Sequence, residues 1–269
     1  MSERFVLPMD GCDLVGERWA GAAGPTVVLL HEGVADRRGW HQVAGLLAPR
    51  VTVVAYDRRG YGESPVSTSE FTNAGDLRGV IDREKVDRAW LVGASMGGGL
   101  ALDAALLMPE RVAGLVLIGT AVSGAPEEQL DETEQPFDAL FEAAIEAGND
   151  AEINRLDTWF WLDGPGSPEG RVGGAARDLA IEMNAIIIGN DVPDSAGDNS
   201  VDAWSRLAEI TVPVTIACGT LDASFIIGRA RELARRLPKA SYIELPGVAH
   251  QPYLEQPAAV AGLIRDAIA

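Results

Sequence analysis

The chain has 269 residues, of which 47% are hydrophobic and 23% are charged, a composition typical of a globular protein with a substantial core. Its net charge of −18 opposes binding to phosphate backbones and to anionic lipid, so neither nucleic-acid nor membrane partners are expected. The sequence has no apolar run of the roughly 18 residues that a membrane span needs, and its first residues lack the features of a signal peptide, so we expect a cytoplasmic protein.

Short apolar strands alternate with helical stretches over most of the chain. An N-terminal hairpin is predicted where 5–7 and 14–19 flank Asp10 and Gly11. The other predicted strands are 26–30, 51–56, 90–93, 112–118, 214–218 and 242–245, and helices are predicted at 98–108, 229–237 and 258–268. Because several of these strands are continuously apolar, the pattern predicts a mostly parallel sheet with helices on both faces.

The alternation stops between residues 121 and 210, where only helical patterns are found. Helices are predicted at 137–147, 151–161 and 175–188, separated by Gly-, Pro- and Asp-rich breaks at 163–168 and 191–199. This segment holds 20 acidic and 4 basic residues, so almost all of the excess negative charge lies in one helical insertion.

Ser95 is the candidate nucleophile. It lies in Gly93-Ala94-Ser95-Met96-Gly97, between a buried strand and a predicted helix. The small residues of a G-x-S-x-G turn allow a sharp reversal that exposes the hydroxyl, and the amides at the start of the following helix favour developing negative charge. The alternative interpretation is a glycine-rich turn that serves only close packing.

The three histidines limit the search for a general base. His250 lies in a Pro- and Gly-rich loop directly after the last predicted strand, at the sheet edge that a base for Ser95 must share. His31 follows strand 26–30 at the same edge and is the competitor, although we interpret it as a structural ring bonded to loop backbone. His41 follows Trp40 in a predicted helix and is interpreted as a surface or packing residue.

Asp222 is the candidate acid. It falls just past strand 214–218, where its carboxylate can orient His250 and stabilise its cation. The alternatives are that Asp222 caps the helix that follows it, or that Glu244, which lies inside a predicted strand, is the acid.

Four stretches, at 27–33, 56–64, 93–97 and 247–257, together resemble the α/β-hydrolase superfamily over nearly the whole chain. The order Ser95, Asp222, His250 matches the order in this family. The resemblance implies an eight-stranded, mostly parallel sheet with a helical cap inserted after the sixth strand. Residues 1–120 and 211–269 would then form the core domain and 121–210 the cap. It also implies that His31 is structural and that 57–64 shapes the loop after the fourth strand.

The resemblance further implies an oxyanion hole made by the backbone N–H groups of Gly33 and Met96, with Val34 as the alternative donor if the loop is shifted by one residue. Glu32 departs from the family, whose members usually have glycine there. We expect the Glu32 side chain to point to solvent. The alternative is a carboxylate beside the oxyanion site, where it would weaken the stabilisation of negative charge.

The insertion is expected to roof Ser95 with apolar side chains. The predicted pocket residues are Glu32, Val34, Trp159, Trp161 and Met183, and the alternative for the tryptophans is packing of the cap on the core. An acidic cap repels anionic substrates unless Arg155 or Arg177 faces the pocket, so a neutral ester or lactone is expected.

These residues predict a serine hydrolase that uses no cofactor and cleaves a small, apolar carboxylic ester or lactone through an acyl-enzyme. C–C bond hydrolysis and haloperoxidase-like chemistry on the same triad are alternatives, as is a weakly catalytic receptor on a hydrolase scaffold. No metal-ligand motif and no P-loop is present. Cys12 and Cys218 are expected to be reduced. The expected partner is a small-molecule substrate, and a homo-oligomer is left open.

Overall fold

A computed structural model of the chain describes residues 2–21, 24–126, 129–190, 192, 196–199 and 201–269. These residues include eight strands: β1 (Ser2–Met9), β2 (Cys12–Trp19), β3 (Thr26–Leu30), β4 (Thr52–Tyr56), β5 (Ala89–Ala94), β6 (Val112–Ile118), β7 (Val214–Gly219) and β8 (Ala240–Leu245). They form one sheet in the order β1-β2-β4-β3-β5-β6-β7-β8. β2 is antiparallel to β1 and β4, and every other pairing is parallel. The predicted mostly parallel, eight-stranded sheet is confirmed.

The central strands are continuously apolar because both faces of the sheet are covered. All five residues of β3 are buried. Val28 and Leu30 belong to one buried cluster, whereas Val27 and Leu29 belong to another, as the alternation of side chains along a strand requires. A strand buried in this way cannot show the apolar–polar alternation of a strand with one wet face.

The described residues also form ten α-helices: α1 (His41–Leu47), α2 (Asn73–Arg83), α3 (Met96–Leu107), α4 (Gln135–Glu146), α5 (Asp150–Asp157), α6 (Ala175–Asn190), α7 (Ala203–Arg206), α8 (Ser224–Arg236), α9 (Pro252–Glu255) and α10 (Pro257–Ala267). Buried residues of α2, α3 and α8 join the cluster that contains Val28, and those of α1 and α10 join the cluster that contains Val27. Helices therefore cover both faces of the sheet. Within the described ranges, none of these helices has the length and hydropathy that a bilayer crossing requires.

The segment between β6 and β7 contains α4 to α7 and a π-helical turn, Thr158–Asp163, and its described residues include no strand. The predicted break at 191–199 lies partly outside the described residues. Buried side chains of the segment join both clusters: Phe137 and Phe160 belong to the first, Leu162 and Met183 to the second. The segment thus shares its apolar core with the sheet domain.

A buried network shapes the loop after β4. The Asp57 carboxylate accepts hydrogen bonds from the Arg37 and Glu63 backbone amides at 2.8 and 2.9 Å, and it also binds the Arg37 guanidinium. Arg59 makes a bidentate pair with Asp76 at 2.8 Å for each contact. These contacts tie the loop to its neighbours, which is the structural role that the sequence motif at 57–64 implies.

Candidate active site

Ser95 joins β5 to α3 in a strained backbone conformation. Its φ is +47° and its ψ is −117°, and Lys85 is the one other non-glycine residue with positive φ in the described part of the chain. Such a conformation is unfavourable for an L-residue unless its surroundings hold it. The Ser95 carbonyl accepts hydrogen bonds from the amides of Gly98, Gly99 and Ala121 at 2.9, 3.0 and 3.1 Å.

The two flanking glycines are required by close contacts with backbone. A Cβ atom at Gly93 would lie 2.3 Å from the Gly97 carbonyl oxygen, and one at Gly97 would lie 2.3 Å from the Leu30 carbonyl oxygen. Neither oxygen can move away cheaply, because both are backbone atoms, one in α3 and the other at the end of β3. The G-x-S-x-G pattern therefore reflects a steric requirement of this turn.

His250 and Asp222 form a buried pair at the C-terminal edge of the sheet. His250 Nδ1 lies 3.0 and 2.9 Å from the two carboxylate oxygens of Asp222. The residues are 2% and 6% exposed, so solvent does not weaken the interaction. Asp222 also accepts a hydrogen bond from the Ala223 amide at 2.8 Å, and α8 begins only at Ser224. The N-cap of α8 is Ala223, which makes no side-chain capping hydrogen bond, so Asp222 is not its N-cap and its carboxylate is directed at the imidazole.

Ser95 and His250 line the same cavity, which has a volume of about 370 Å³. The predicted residues Glu32, Gly33, Val34, Met96 and Trp161 also line it. Four further residues line the cavity that are not among the predicted pocket residues: Tyr61, Asp157, Ile187 and Val192. Three of these four belong to the insertion at 121–210, and the sequence does not show how the helices of that segment are placed relative to the sheet.

Gly33 and Met96, the predicted oxyanion donors, are in contact. A Cβ atom at Gly33 would lie 2.7 Å from Met96 Sδ. Met96 is the first residue of α3, so its amide has no acceptor within the helix. Gly33, Val34 and Met96 all line the cavity that contains Ser95.

His31 has the structural role that its position in the sequence predicts. The ring is 1% exposed, its Nδ1 donates to the Glu32 carbonyl at 2.8 Å, and its Nε2 accepts from the Arg58 amide at 3.0 Å. Burial, with a smaller effect of Arg58, holds the pKa of His31 well below its usual value. The ring is therefore neutral and fully engaged with loop backbone.

Four further charged or titratable side chains lie away from the His250–Asp222 pair. His41 lies 3.1 Å from Glu17, and Glu244 pairs with Arg231 at 2.9 Å on the exposed edge strand. Arg155 pairs with Glu152 and Glu169, and Arg177 pairs with Asp163. Neither Arg155 nor Arg177 lines the cavity that contains Ser95.

The predictions for two pocket residues need correction, because Trp159 and Met183 do not line the cavity. Trp159 packs edge-on against Phe137 at 4.9 Å, and its Nε1 donates to the Ser167 carbonyl at 2.9 Å. Met183 is fully buried, and its sulfur lies 3.5 Å from the Asp36 amide. Met183 therefore packs the insertion against the loop after β3, whereas these two contacts of Trp159 lie within the insertion.

The prediction for Glu32 also needs correction, because its side chain does not point to solvent. This side chain is 1% exposed, and the Gln251 amide donates to its Oε1. Its Oε2 lies 3.8 Å from His250 Nε2. Burial raises the pKa of Glu32, and the attraction of His250 partly offsets this effect.

Asp157 is a second carboxylate on the cavity wall. It accepts a hydrogen bond from Asn184 at 2.9 Å, and burial raises its pKa to about 6. Glu32, Asp157 and His250 are the carboxylate and imidazole groups that line the cavity, and no lysine or arginine of the described residues lines it.

Gly119 is a residue of the site that sequence reasoning missed. It follows β6 with a φ of +51°. A Cβ atom there would lie 2.9 Å from His250 Nδ1 and 3.1 Å from Asp222 Oδ2. The sequence does contain a signal for Gly119, because this glycine directly follows β6. The neighbouring strand β7 leads into the loop that carries Asp222.

Gly119→Ala is expected to lower kcat for ester hydrolysis by about 10–100-fold, because the added methyl group displaces the His250–Asp222 pair. The positive φ adds a loss of unfolding free energy of about 1 kcal/mol. Steady-state kinetics and thermal unfolding measure the two effects.

Gly228→Ala is the matched control, since Gly228 lies in α8 and a Cβ atom there meets nothing within 4 Å. It should leave kcat unchanged and stabilise the protein by about 0.5–1 kcal/mol. A Gly119→Ala protein with unaltered kcat would show that the pair tolerates the displacement.

The fold is that of an α/β hydrolase. A family model described as the alpha/beta hydrolase family matches residues 27–263. The chain belongs to this family.

The chain is similar to several members of known name. A 2-hydroxy-6-oxononadienedioate/2-hydroxy-6-oxononatrienedioate hydrolase of Cupriavidus pinatubonensis is 39% identical over 234 residues, which cover 82% of this chain and 78% of that protein. A pimeloyl-(acyl-carrier protein) methyl ester esterase of Photobacterium profundum is 27% identical over 252 residues, covering 91% and 95%. Among solved structures, an esterase from Rhodococcus sp. ECU1013 has a TM-score of 0.79 at 25% identity and covers 99% of this chain and 98% of that one.

Proposed function

We propose that the chain is a serine hydrolase that cleaves a small, neutral carboxylic ester or lactone. The observation that carries the proposal is the cavity shared by Ser95, on its strained turn, and His250, which is bonded through Nδ1 to Asp222. The esterases among its relatives support a hydrolase that acts on ester bonds.

In the proposed mechanism, Ser95 Oγ attacks the carbonyl carbon while His250 Nε2 takes the hydroxyl proton. The amides of Gly33 and Met96 donate to the oxyanion of the tetrahedral intermediate. The intermediate collapses, the C–O bond to the alcohol breaks, and the alcohol leaves with the proton from His250. Water then attacks the acyl-enzyme with His250 as base, and the acid is released as Ser95 regains its proton.

We further propose that residues 121–210 form a cap over this site, with 1–120 and 211–269 as the core domain. Trp161 supports this division, because its ring packs on the His250 ring at 4.6 Å between centroids. Its carbonyl accepts a hydrogen bond from the His250 amide at 3.2 Å. The insertion thus contacts His250 directly, which supports its assignment as a cap over this site.

The charges on the cavity wall support a neutral substrate. Glu32 and Asp157 are its carboxylates, and Arg155 and Arg177 are paired elsewhere. A substrate carboxylate in this cavity would meet like charge without a compensating cation.

C–C bond hydrolysis is the second candidate, and one observation favours it: the relative that is 39% identical is named a hydrolase of a dienedioate. The same three side chains serve both reactions. The cavity described above does not offer a cation for the carboxylates that this name implies, so we rank ester hydrolysis first.

Matched p-nitrophenyl esters test the proposal. The purified chain is expected to turn over p-nitrophenyl butyrate many times, and kcat/KM should fall at least about tenfold when the acyl chain ends in a carboxylate, because of charge repulsion. Equal or better hydrolysis of the carboxylated ester would overturn the assignment of a neutral substrate. A single burst of one nitrophenol per chain, followed by no turnover, would instead indicate a binding protein on a hydrolase scaffold.

A further inference from the structure

Glu32 lines the cavity that contains Ser95, although the reaction proposed for this site does not require a carboxylate there. It follows His31 at the C-terminal end of β3, and its side chain is 1% exposed. Gln251, the residue after His250, donates to Oε1, whereas Oε2 has no hydrogen-bond partner of normal geometry among the described residues. A buried carboxylate oxygen without a well-formed hydrogen bond is costly, and the neighbouring Tyr253 hydroxyl and His250 imidazole offset part of this cost.

The His250 ring lies between two carboxylates. Asp222 binds Nδ1 at 2.9 Å, and Glu32 Oε2 lies 3.8 Å from Nε2, the nitrogen through which a base for Ser95 must act. A separation of 3.8 Å is too long for a hydrogen bond but well within the range in which an opposite charge stabilises a cation in a buried site.

We propose that Glu32 is a positioning residue whose carboxylate stabilises the protonated form of His250 from the Nε2 side. This inference rests on the proposed function in one respect, the role of His250 as the base. Asp222 and Glu32 then act as a pair on one imidazole. Asp222 fixes the ring and its tautomer, and Glu32 increases the affinity of the outward nitrogen for a proton.

Other groups packed around the pair modify this interaction without replacing it. The groups next to His250 are the Asp222 carboxylate and the Trp161 ring. The Cys218 thiol lies 3.7 Å from Asp222 Oδ2. Asp157 lines the same cavity.

Toward Glu32 the neighbours are Gln251 and Tyr253 on the segment that follows His250, and the Arg58 guanidinium, which donates to the Glu32 carbonyl at 2.9 Å. Burial and Asp222 raise the pKa of Glu32, while His250 and the side chains of Gln251 and Tyr253 lower it. Glu32 and His250 therefore titrate as a coupled pair, and the charge on one depends on the proton on the other.

Glu32→Gln tests the inference through the pH profile. Because kcat/KM reports the protonation of the free enzyme, the acid limb of the profile marks the loss of the neutral base. Removal of the second carboxylate should move this limb to lower pH by about one unit, so that the variant keeps more activity in acid than the wild type. Glu32→Gly, which introduces the residue usual in the family, should shift it in the same direction if Glu32→Gln fails to fold.

Glu84→Gln is the matched control. Glu84 is also a buried glutamate, with a side chain 3% exposed and an ion pair to Arg18 at 2.8 Å, but it does not line the cavity. This variant should leave the acid limb in place. An acid limb that stays in place in both Glu32 variants would overturn the inference.

A direct titration separates this inference from the proposed function. The imidazole of His250 is one of three in the chain, and its NMR signal is assigned by its absence in His250→Asn. Its midpoint should fall by about one pH unit in Glu32→Gln. A protein that hydrolyses no ester would defeat the proposed function but leave this measurement valid. An unchanged midpoint in a protein that hydrolyses esters would defeat only the role of Glu32.

Discussion

Ser95→Ala is expected to reduce kcat for p-nitrophenyl butyrate by about 10⁴-fold or more, because no other group can form the acyl-enzyme. The fold should persist, since alanine and serine have a similar preference against positive φ and the turn is held by backbone hydrogen bonds to the Ser95 carbonyl. Steady-state kinetics, a fluorophosphonate probe and thermal unfolding together give the rate, the labelled residue and the stability.

Ser241→Ala is a suitable control, because Ser241 lies on the edge strand β8 and does not line the cavity. It should keep both turnover and labelling. Fluorophosphonate labelling that persists in the Ser95→Ala protein would assign the nucleophile to another residue.

Asp222→Asn is expected to lower kcat by about 10⁴-fold with little change in KM. The asparagine amide would donate to His250 Nδ1, which places the ring proton on Nε2 and removes its ability to accept the Ser95 proton. His250 Nδ1 contacts both carboxylate oxygens of Asp222, at 3.0 and 2.9 Å, so the substituted amide would face this nitrogen directly. Kinetics over a range of substrate concentrations separate kcat from KM.

Glu244→Gln provides the comparison, because Glu244 is the competing acid and has a side chain 48% exposed. Its activity should equal that of the wild type. Full activity in Asp222→Asn together with a loss in Glu244→Gln would exchange the two assignments.

The strands are predictable from sequence because their burial on both faces produces continuous apolar runs. The predicted bounds of β3 and β6 coincide with the observed ones, Thr26–Leu30 and Val112–Ile118. Helix starts are less well defined: α3 begins at Met96 rather than at residue 98, and α8 begins at Ser224 rather than at residue 229. Chain order and strand ends then bring residues 95, 222 and 250 to one edge of the sheet.

The features that sequence does not predict depend on contacts between distant parts of the chain. Glu32 is buried, and Gln251, 219 positions later, donates a hydrogen bond to it; no local pattern in the sequence indicates that contact. Trp159 and Trp161 both lie in the π-helical turn, yet only Trp161 reaches the His250 ring. A regular helical wheel cannot assign the direction of side chains in such a turn.

The contact between Trp161 and His250 has a consequence for the evolution and engineering of this scaffold. Because the segment that we propose as the cap also contacts the ring and the backbone amide of His250, it is not an interchangeable module. A segment transplanted from another family member would bring a new specificity only if it restored an aromatic platform and a carbonyl at the same point. Divergence in substrate preference is therefore constrained by a contact that the substrate itself never makes.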